Sequence, residues 1–210
     1  MTDNGDKLYD GITAEKWDKE LAVNRFWNRK HLFALWSLMG THSTMLDIGC
    51  GLGDLVQMSR KLGIEAYGVD QLVTDAVTED RWKWNQDWFF HHDLRQPFSL
   101  GQFAGVSVVN LVLCWEVAEH IPDNNIDVFC DTICNHLERE TNSILAFTAA
   151  HPGQGGTAHV SGRPAIFWRD QFHSRGLTFL EEKTARLALM WSNISSPLWW
   201  LASNLMIFEK

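Results

Sequence analysis

Apolar and polar residues alternate along this chain in two rhythms, and the rhythm changes near residue 40. Residues 13 to 39 carry large apolar side chains at helical spacing, including Trp17, Leu21 and Phe26, which predicts one or two amphipathic helices that end at Gly40. Beyond that point, apolar runs of strand length alternate with stretches of helical spacing. This alternation predicts a parallel sheet with helices on both faces.

The predicted elements follow one another in a regular order up to about residue 150. The expected strands are "TMLDI", "EAYGV", "DWFFHH", "GVSVVNLVLC" and "SILAFTA", and helices are expected at about 52–61, 72–80 and 123–137. The loop "HPGQGGTAHVSGRP" then interrupts the alternation. After it we expect a helix near 165–174, the strand "LTFL", a helix near 182–192 and the closing strand "NLMIF".

Composition narrows the class of protein without identifying it. A chain of 210 residues with 45% hydrophobic residues can form one domain with a substantial core. The formal net charge of -8 argues against a surface that neutralises many phosphates, so nucleic acid is a minor candidate partner. The polar first residues and the lack of a membrane-spanning apolar run predict a cytoplasmic protein. The four cysteines show no CxxC spacing and are expected to be thiols.

The stretch "MLDIGCGLGD" leads from the first strand into a glycine-rich turn. Gly49, Gly51 and Gly53 form a GxGxG pattern flanked by Asp47 and Asp54, whereas binders of pyrophosphate carry GxGxxG. In a doubly wound sheet, ligands bind beyond the carboxyl ends of the strands. Two carboxylates there would repel a pyrophosphate and attract a cation. S-adenosylmethionine combines a ribose with an ammonium and a sulfonium, and it fits this turn.

Acidic residues also follow the next two strands. Asp70 ends the second strand, where a carboxylate can accept hydrogen bonds from both ribose hydroxyls. Asp93 follows the third strand and is placed to accept from an adenine amino group, with the Leu94 amide beside the ring. Each acid alone could be a helix N-cap or a surface charge. Acids at three successive strand ends together predict a cofactor site.

The segments "LDIGCGLGDL", "YGVD", "HHDL" and "VNLVLCWEVAEHIP" resemble, in this order, the motifs of class I S-adenosylmethionine-dependent methyltransferases. The resemblance covers about residues 40–150 and implies an α/β fold, a Rossmann-like doubly wound seven-stranded sheet of order 3-2-1-4-5-7-6 with strand 7 antiparallel. It implies one domain with an N-terminal helical lid (1–40), a cofactor-binding core (41–150) and a substrate side (151–210). The cofactor residues that it implies are Asp47, Gly49, Cys50, Gly51, Gly53, Asp70, Gln71, Asp93, Leu94, Cys114 and Trp115.

The fourth strand leads into "WEVAEHI", which places Glu116, Glu119 and His120 at i, i+3 and i+4. This spacing predicts a shared helical face, suited to a metal site or an acid/base pair. In subsets of the resembled family, namely O-methyltransferases of ubiquinone biosynthesis and small-RNA 2'-O-methyltransferases, the E-x-x-E-H pattern binds a divalent cation such as Mg²⁺. Three interpretations remain open: a metal site of Glu116, Glu119 and His120, catalysis by Glu116 and His120 without metal, and a structural role. His151 or His159 could complete the metal site.

The predicted substrate side is rich in aromatic residues, which include Trp17, Trp27, Trp36, Trp115, Phe167, Trp168, Trp191, Trp199 and Trp200. They form either a pocket for a flat, apolar or sugar acceptor, or a seal over the domain. Our leading hypothesis is O-methylation of a small molecule or glycan, with S-adenosylhomocysteine as the second product. The alternatives are a nucleic-acid methyltransferase, an RNA 2'-O-methyltransferase above all, and a non-catalytic protein that binds S-adenosylmethionine. "CWEV" stands where amino-methylating DNA enzymes carry an NPPY-like tetrapeptide, which disfavours that class.

Overall fold

The computed structural model describes residues 28–71, 87–139, 141–194 and 197–210. The expected helix near 72–80 and the first part of the helical region 13–39 lie outside these residues. The described helices are α1 (28–39), α2 (Asp54–Lys61), α3 (Gly101–Ala104), α4 (Ile126–His136), α5 (Ala165–His173), α6 (Glu181–Ser192) and α7 (Trp199–Asn204). The strands are β1 (Thr44–Ile48), β2 (Glu65–Asp70), β3 (Phe89–His91), β4 (Leu111–Trp115), β5 (Ile144–Thr148), β6 (Thr178–Phe179) and β7 (Leu205–Glu209).

The seven strands form one sheet in the order β3-β2-β1-β4-β5-β7-β6, as the resemblance implied. The first five strands run parallel, and β7 lies antiparallel between β5 and β6. In β1, Asp47 lies opposite Gly68 of β2 on one side and Leu113 of β4 on the other. The carboxyl ends of β1, β2 and β4 therefore meet at one edge of the sheet, where ligands of doubly wound folds bind.

Both faces of the sheet are buried. Leu46 and Ile48 point to a core that includes Phe129 and Trp168 on the side of α4 and α5. Met45 points to the opposite core, which packs against α1, α2 and α6. Burial on both faces explains why the strands read as continuous apolar runs rather than as alternating ones.

The structure corrects the lengths of three predicted strands. Of the run "GVSVVNLVLC", only the last four residues lie in β4 (Leu111–Trp115), because Val109 pairs with Leu137 in an isolated bridge and the Asn110 side chain bonds to Thr44. The runs "DWFFHH" and "LTFL" shorten to the edge strands β3 and β6, each of which pairs with a single neighbour. Hydrophobicity predicts burial, whereas the extent of a strand depends on the partner beside it.

Two further sequence predictions concern the chain as a whole. All four cysteines are free thiols, as expected. Among the helices within the described ranges, none combines the length and apolar character needed to cross a bilayer.

Candidate active site

The glycine-rich turn after β1 folds back onto the end of β2. The amides of Gly49 and Cys50 donate to the carbonyl of Val69 at 2.8 and 3.2 Å. The Gly51 amide donates to Oδ2 of Asp70 at 2.8 Å. The carboxylate that the sequence assigned to the ribose thus lies directly against the glycine turn.

The turn needs glycine for two reasons. Gly49 and Gly53 adopt φ values of 77° and 71°, in the left-handed region that residues other than glycine rarely adopt. A Cβ on Gly49 would lie 2.2 Å from Cγ2 of Val117, and one on Gly53 would lie 2.1 Å from the ring of Phe89. The turn is therefore packed between the loop after β4 and the start of β3.

Two acidic side chains lie buried beside this turn. Asp47 is 5% exposed and Asp70 is 7% exposed. Burial raises the pKa of Asp47 to about 7, and the negative charge of Asp70 adds to the effect. A positively charged ligand would relieve this unfavourable arrangement, which fits the ammonium or sulfonium of S-adenosylmethionine.

The residues predicted to hold the adenine lie at the ends of β2 and β3. The carboxylate of Asp93 forms a two-pronged pair with the guanidinium of Arg95, with a shortest distance of 2.7 Å. Partial burial acts to raise the pKa of Asp93, but Arg95 outweighs it and the pKa lies below its usual range. Leu94 is buried, and the carbonyl of Gln71 lies 3.1 Å from Nε2 of His91. Their roles toward adenine remain predictions.

Cys114 and Trp115 end β4 beside the glycine turn. Cys114 is fully buried in the core, and burial raises the pKa of its thiol well above the ordinary value. Its side chain is therefore no nucleophile. The Trp115 ring meets the edge of Trp191 at 5.0 Å between centroids, which places it against the core around α6.

The helical face predicted for the E-x-x-E-H motif is wrong. Only Ala118–His120 form a short 3-10 turn, and Glu116 precedes it with a φ of 55°. The amide of Glu116 donates to the carbonyl and the hydroxyl of Thr148 at 3.1 and 3.0 Å, which ties the residue to the end of β5. The chain turns sharply at Glu116, so this residue does not share a helical face with Glu119 and His120.

The Glu116 carboxylate is held by neutral donors. Nδ2 of Asn204 lies 3.0 and 3.3 Å from its two oxygens, and Nε2 of Gln154 lies 3.4 Å from one of them. Burial raises the pKa of Glu116, and the bonds from Asn204, Thr148 and Gln154 offset part of that effect. The Glu116 carboxylate is thus partly buried and held in one orientation, and the side chains that hold it are neutral.

Glu119 is fully buried, and neither carboxylate oxygen forms a well-made hydrogen bond with a described residue. Burial, followed by the charge of Glu116, raises the pKa of Glu119 to about 8, while the backbone amides of Glu119 and Ala150 offset little of this. A buried carboxyl group with so little hydrogen bonding is costly when ionised and marks a place where a proton or a cation is expected.

Two imidazoles converge on Glu119. Nδ1 of His120 lies 3.1 Å from the carbonyl of Ala158, and Nδ1 of His159 lies 3.2 Å from the carbonyl of Gln154. Because a carbonyl only accepts, each Nδ1 carries a hydrogen, and Nε2 is the ring nitrogen left to face a ligand. Burial lowers the pKa of His120 from its ordinary value, which favours the neutral ring.

The three side chains form a compact group. Nε2 of His159 is 3.9 Å from Oε1 of Glu119, and the rings of His120 and His159 are 5.2 Å apart. One ligand atom from each of Glu119, His120 and His159 lies within 4.8 Å of the others. Of the two loop histidines considered from the sequence, His159 joins this group; His151 is not a member of it.

Gln154 and Asn204 belong to the site but were not predicted from the sequence. Gln154 gave no signal within its glycine-rich loop. Asn204 gave one, because it is a polar residue inside the apolar run "WWLASNLMIF", and such a residue, when buried, needs a specific partner.

The strand order, the glycine turn and the acids at the strand ends define a class I S-adenosylmethionine-dependent methyltransferase domain. The sequence matches a family described as a methyltransferase domain over residues 17–187, and the chain belongs to that family. Among curated proteins, none matches the sequence.

Solved structures share this fold at low sequence identity. A SAM-dependent methyltransferase from Archaeoglobus fulgidus has a TM-score of 0.59 at 15% identity, covering 92% of this chain and 97% of its own. The plantazolicin methyltransferase BpumL, solved with a desmethylPZN analog and SAH, has a TM-score of 0.60 at 13% identity, covering 98% and 94%. The magnesium protoporphyrin IX methyltransferase from Synechocystis PCC 6803, solved with SAH, has a TM-score of 0.54 at 18% identity, covering 97% and 90%.

Proposed function

We propose that this chain transfers a methyl group from S-adenosylmethionine to a hydroxyl oxygen of a small-molecule or glycan acceptor. The observation that carries the proposal is the group around Glu119: a fully buried carboxyl group without a well-made hydrogen bond, next to two imidazoles whose Nδ1 atoms are already committed. O-methylation requires a group that removes the proton of the acceptor hydroxyl, whereas binding of the cofactor alone does not.

The cofactor assignment is supported by the turn after β1 and by its acids. Asp47 and Asp70 lie buried beside the turn, and their carboxyl groups would favour the sulfonium and ammonium of a bound S-adenosylmethionine. Asp70 also has the position from which a carboxylate accepts from ribose hydroxyls. We assign the methionine moiety to the glycine turn, the ribose to Asp70 and Gln71, and the adenine to Asp93 and Leu94.

The protein has little covalent work to do, because the methyl group is already activated by the sulfonium. It must hold the acceptor oxygen in line and remove its proton. We assign the proton to Glu116, a partly buried residue directly after β4, whose neighbour Val117 lies against Gly49 of the glycine turn. Glu116 accepts the hydroxyl proton as the oxygen bonds to the methyl carbon, and the carbon–sulfur bond breaks with its electron pair going to sulfur.

The residues Glu119, His120 and His159 would hold a divalent cation. Their chemistry fits one: a carboxylate and two imidazole nitrogens lie close together, and each imidazole is oriented through its other nitrogen by a backbone carbonyl. Two nitrogen ligands favour an ion such as Mn²⁺ or Zn²⁺ over Mg²⁺, which prefers oxygen. When bound, such an ion would lower the pKa of the acceptor hydroxyl.

The acceptor class rests on charge and on the neighbouring structures. The net charge of -8 disfavours a polyanionic acceptor. BpumL was solved with a plantazolicin analog, and the enzyme from Synechocystis PCC 6803 is named for a porphyrin, so the fold serves small acceptors in those proteins. Trp199, which is 70% exposed at the start of α7, offers a ring face to such an acceptor.

The test is transfer from methyl-labelled S-adenosylmethionine to an extract that is then separated into small molecules, glycans, nucleic acids and protein. We expect label in the small-molecule or glycan fraction, as a methyl ether. Label in RNA or DNA would replace the acceptor class and retain the cofactor site. Tight binding of S-adenosylmethionine without transfer to any fraction would favour a non-catalytic binding protein and overturn the proposal.

A further inference from the structure

The carboxylate of Glu116 belongs to a closed ring of three side chains. Nδ2 of Asn204 donates to Glu116 at 3.0 Å and to Oε1 of Gln154 at 3.1 Å. Nε2 of Gln154 donates to Glu116 at 3.4 Å. Both hydrogens of the Asn204 amide nitrogen are therefore used, one on each partner, so the amide cannot rotate without losing a bond.

Three separate elements supply this ring. Asn204 is 4% exposed and ends α7, immediately before Leu205, which lies opposite Thr148 in the sheet. Thr148 in turn accepts the amide hydrogen of Glu116. The register between β5 and β7 thus fixes the distance between Asn204 and Glu116.

The backbone of Glu116 also constrains the direction of its side chain. A φ of 55° is unfavourable in a residue other than glycine and persists only where the surroundings enforce it. The bonds to Thr148 enforce the backbone, and Asn204 with Gln154 enforces the carboxylate. Neutral amides orient a carboxylate without supplying a countercharge, which leaves it able to accept a proton.

Gln154 connects this ring to the neighbouring histidine. Its carbonyl accepts from Nδ1 of His159 at 3.2 Å, while its side-chain amide contacts Glu116 and Asn204. One loop residue therefore sets the orientation of two groups to which the proposed function gives different tasks. The arrangement is that of a shared support behind a reacting site.

We propose that Asn204 and Gln154 are positioning residues that hold the Glu116 carboxylate toward the acceptor hydroxyl. The inference rests on the proposed function, in which Glu116 takes the acceptor proton. Asn204 acts on Glu116 directly and through the side chain of Gln154, whereas the backbone carbonyl of Gln154 also orients His159.

The test is a double-mutant cycle on the rate of methyl transfer to the fraction labelled by the wild type. Asn204→Leu removes the donor and keeps the size, and we expect the rate to fall on the order of 10- to 100-fold. In a Glu116→Gln background the same change should cause no further loss, because its effect passes through the missing carboxylate. Asn193→Leu removes an exposed amide that bonds to the Leu189 carbonyl, and it should retain the wild-type rate.

The cycle separates positioning from folding. Unfolding in urea reports whether Asn204→Leu merely destabilises the chain. Subtracting the infrared spectrum of Glu116→Gln from that of the wild type should isolate the carboxylate band of Glu116. The same subtraction made in the Asn204→Leu background should give a shifted band. Losses that multiply in the double variant, or an unshifted band, would overturn the positioning role while leaving the proposed function intact. If the wild type transfers no methyl group at all, the proposed function fails and this inference fails with it.

Discussion

Replacing Glu119 with Gln should change how the stability of the metal-free protein depends on pH. In the folded protein the Glu119 carboxyl group has a pKa of about 8, mainly because it is buried, whereas the ordinary value is 4.5. Between these two values the folded state keeps a proton that the unfolded chain releases. The free energy of unfolding therefore falls as the pH rises through this window, and the stabilisation from the bound proton is lost above the folded pKa.

The size of the effect follows from the same linkage. A proton held by the folded state alone changes the free energy of unfolding by about 1.4 kcal/mol per pH unit. Between pH 6 and 7.5, where folded Glu119 remains mostly protonated, the wild type should lose about 2 kcal/mol relative to Glu119→Gln. Taking the difference between the two proteins removes the opposing contributions of buried histidines such as His136, whose pKa values lie below their ordinary value.

Urea unfolding of chelator-treated protein at pH 6, 6.7 and 7.5 measures this difference. Glu182→Gln is the matched control, since Glu182 lies exposed on α6 with only a 3.9 Å contact to Arg186, and its pH dependence should equal that of the wild type. A constant difference between wild type and Glu119→Gln across the range would show that Glu119 ionises normally, and the reasoning about its burial would be refuted.

Three further variants test the site. Gly49→Ala should destabilise the chain by more than Gly63→Ala in urea unfolding, because both residues have positive φ but only Gly49 would meet a neighbour, at 2.2 Å; equal losses would contradict the packing of the turn. Asp70→Ala should weaken S-adenosylmethionine by about 1.5 to 3 kcal/mol per charged hydrogen bond in isothermal titration, and an unchanged dissociation constant would refute the ribose assignment. His159→Ala should abolish Mn²⁺ binding, whereas His151→Ala should retain it. Loss of Mn²⁺ binding in His151→Ala alone would show that His151, and not His159, completes the site with Glu119 and His120.

The sequence carries enough information to predict the sheet and the cofactor edge. Glycines between a buried strand and a helix, followed by an acid at the end of the next strand, are a local pattern typical of a ligand-binding turn at the edge of a doubly wound sheet. Asp47, Gly51 and Asp70 accordingly come together as expected, with the amide of Gly51 on the carboxylate of Asp70. The order of the strands in the sheet, including the antiparallel β7, was predicted from the family resemblance and not from the local pattern.

The geometry after β4 could not be predicted from spacing. Residues at i, i+3 and i+4 share a face only if the chain is helical, and at Glu116 the bonds to Thr148 impose a left-handed turn instead. Asn204 reaches Glu116 through the register of β5 and β7, which is set by strand pairing far along the chain. Such contacts depend on tertiary structure and leave only a weak trace in the sequence.

The most direct test of the proposed chemistry is the rate of methyl transfer to the labelled small-molecule or glycan fraction as Mn²⁺ is added to chelator-treated protein. We expect the wild type and Glu182→Gln to gain activity with Mn²⁺ and to form a methyl ether, and Glu119→Gln to remain inactive at every concentration. Transfer by Glu119→Gln at the wild-type rate, or label on nitrogen, would contradict O-methylation at a site built around Glu119.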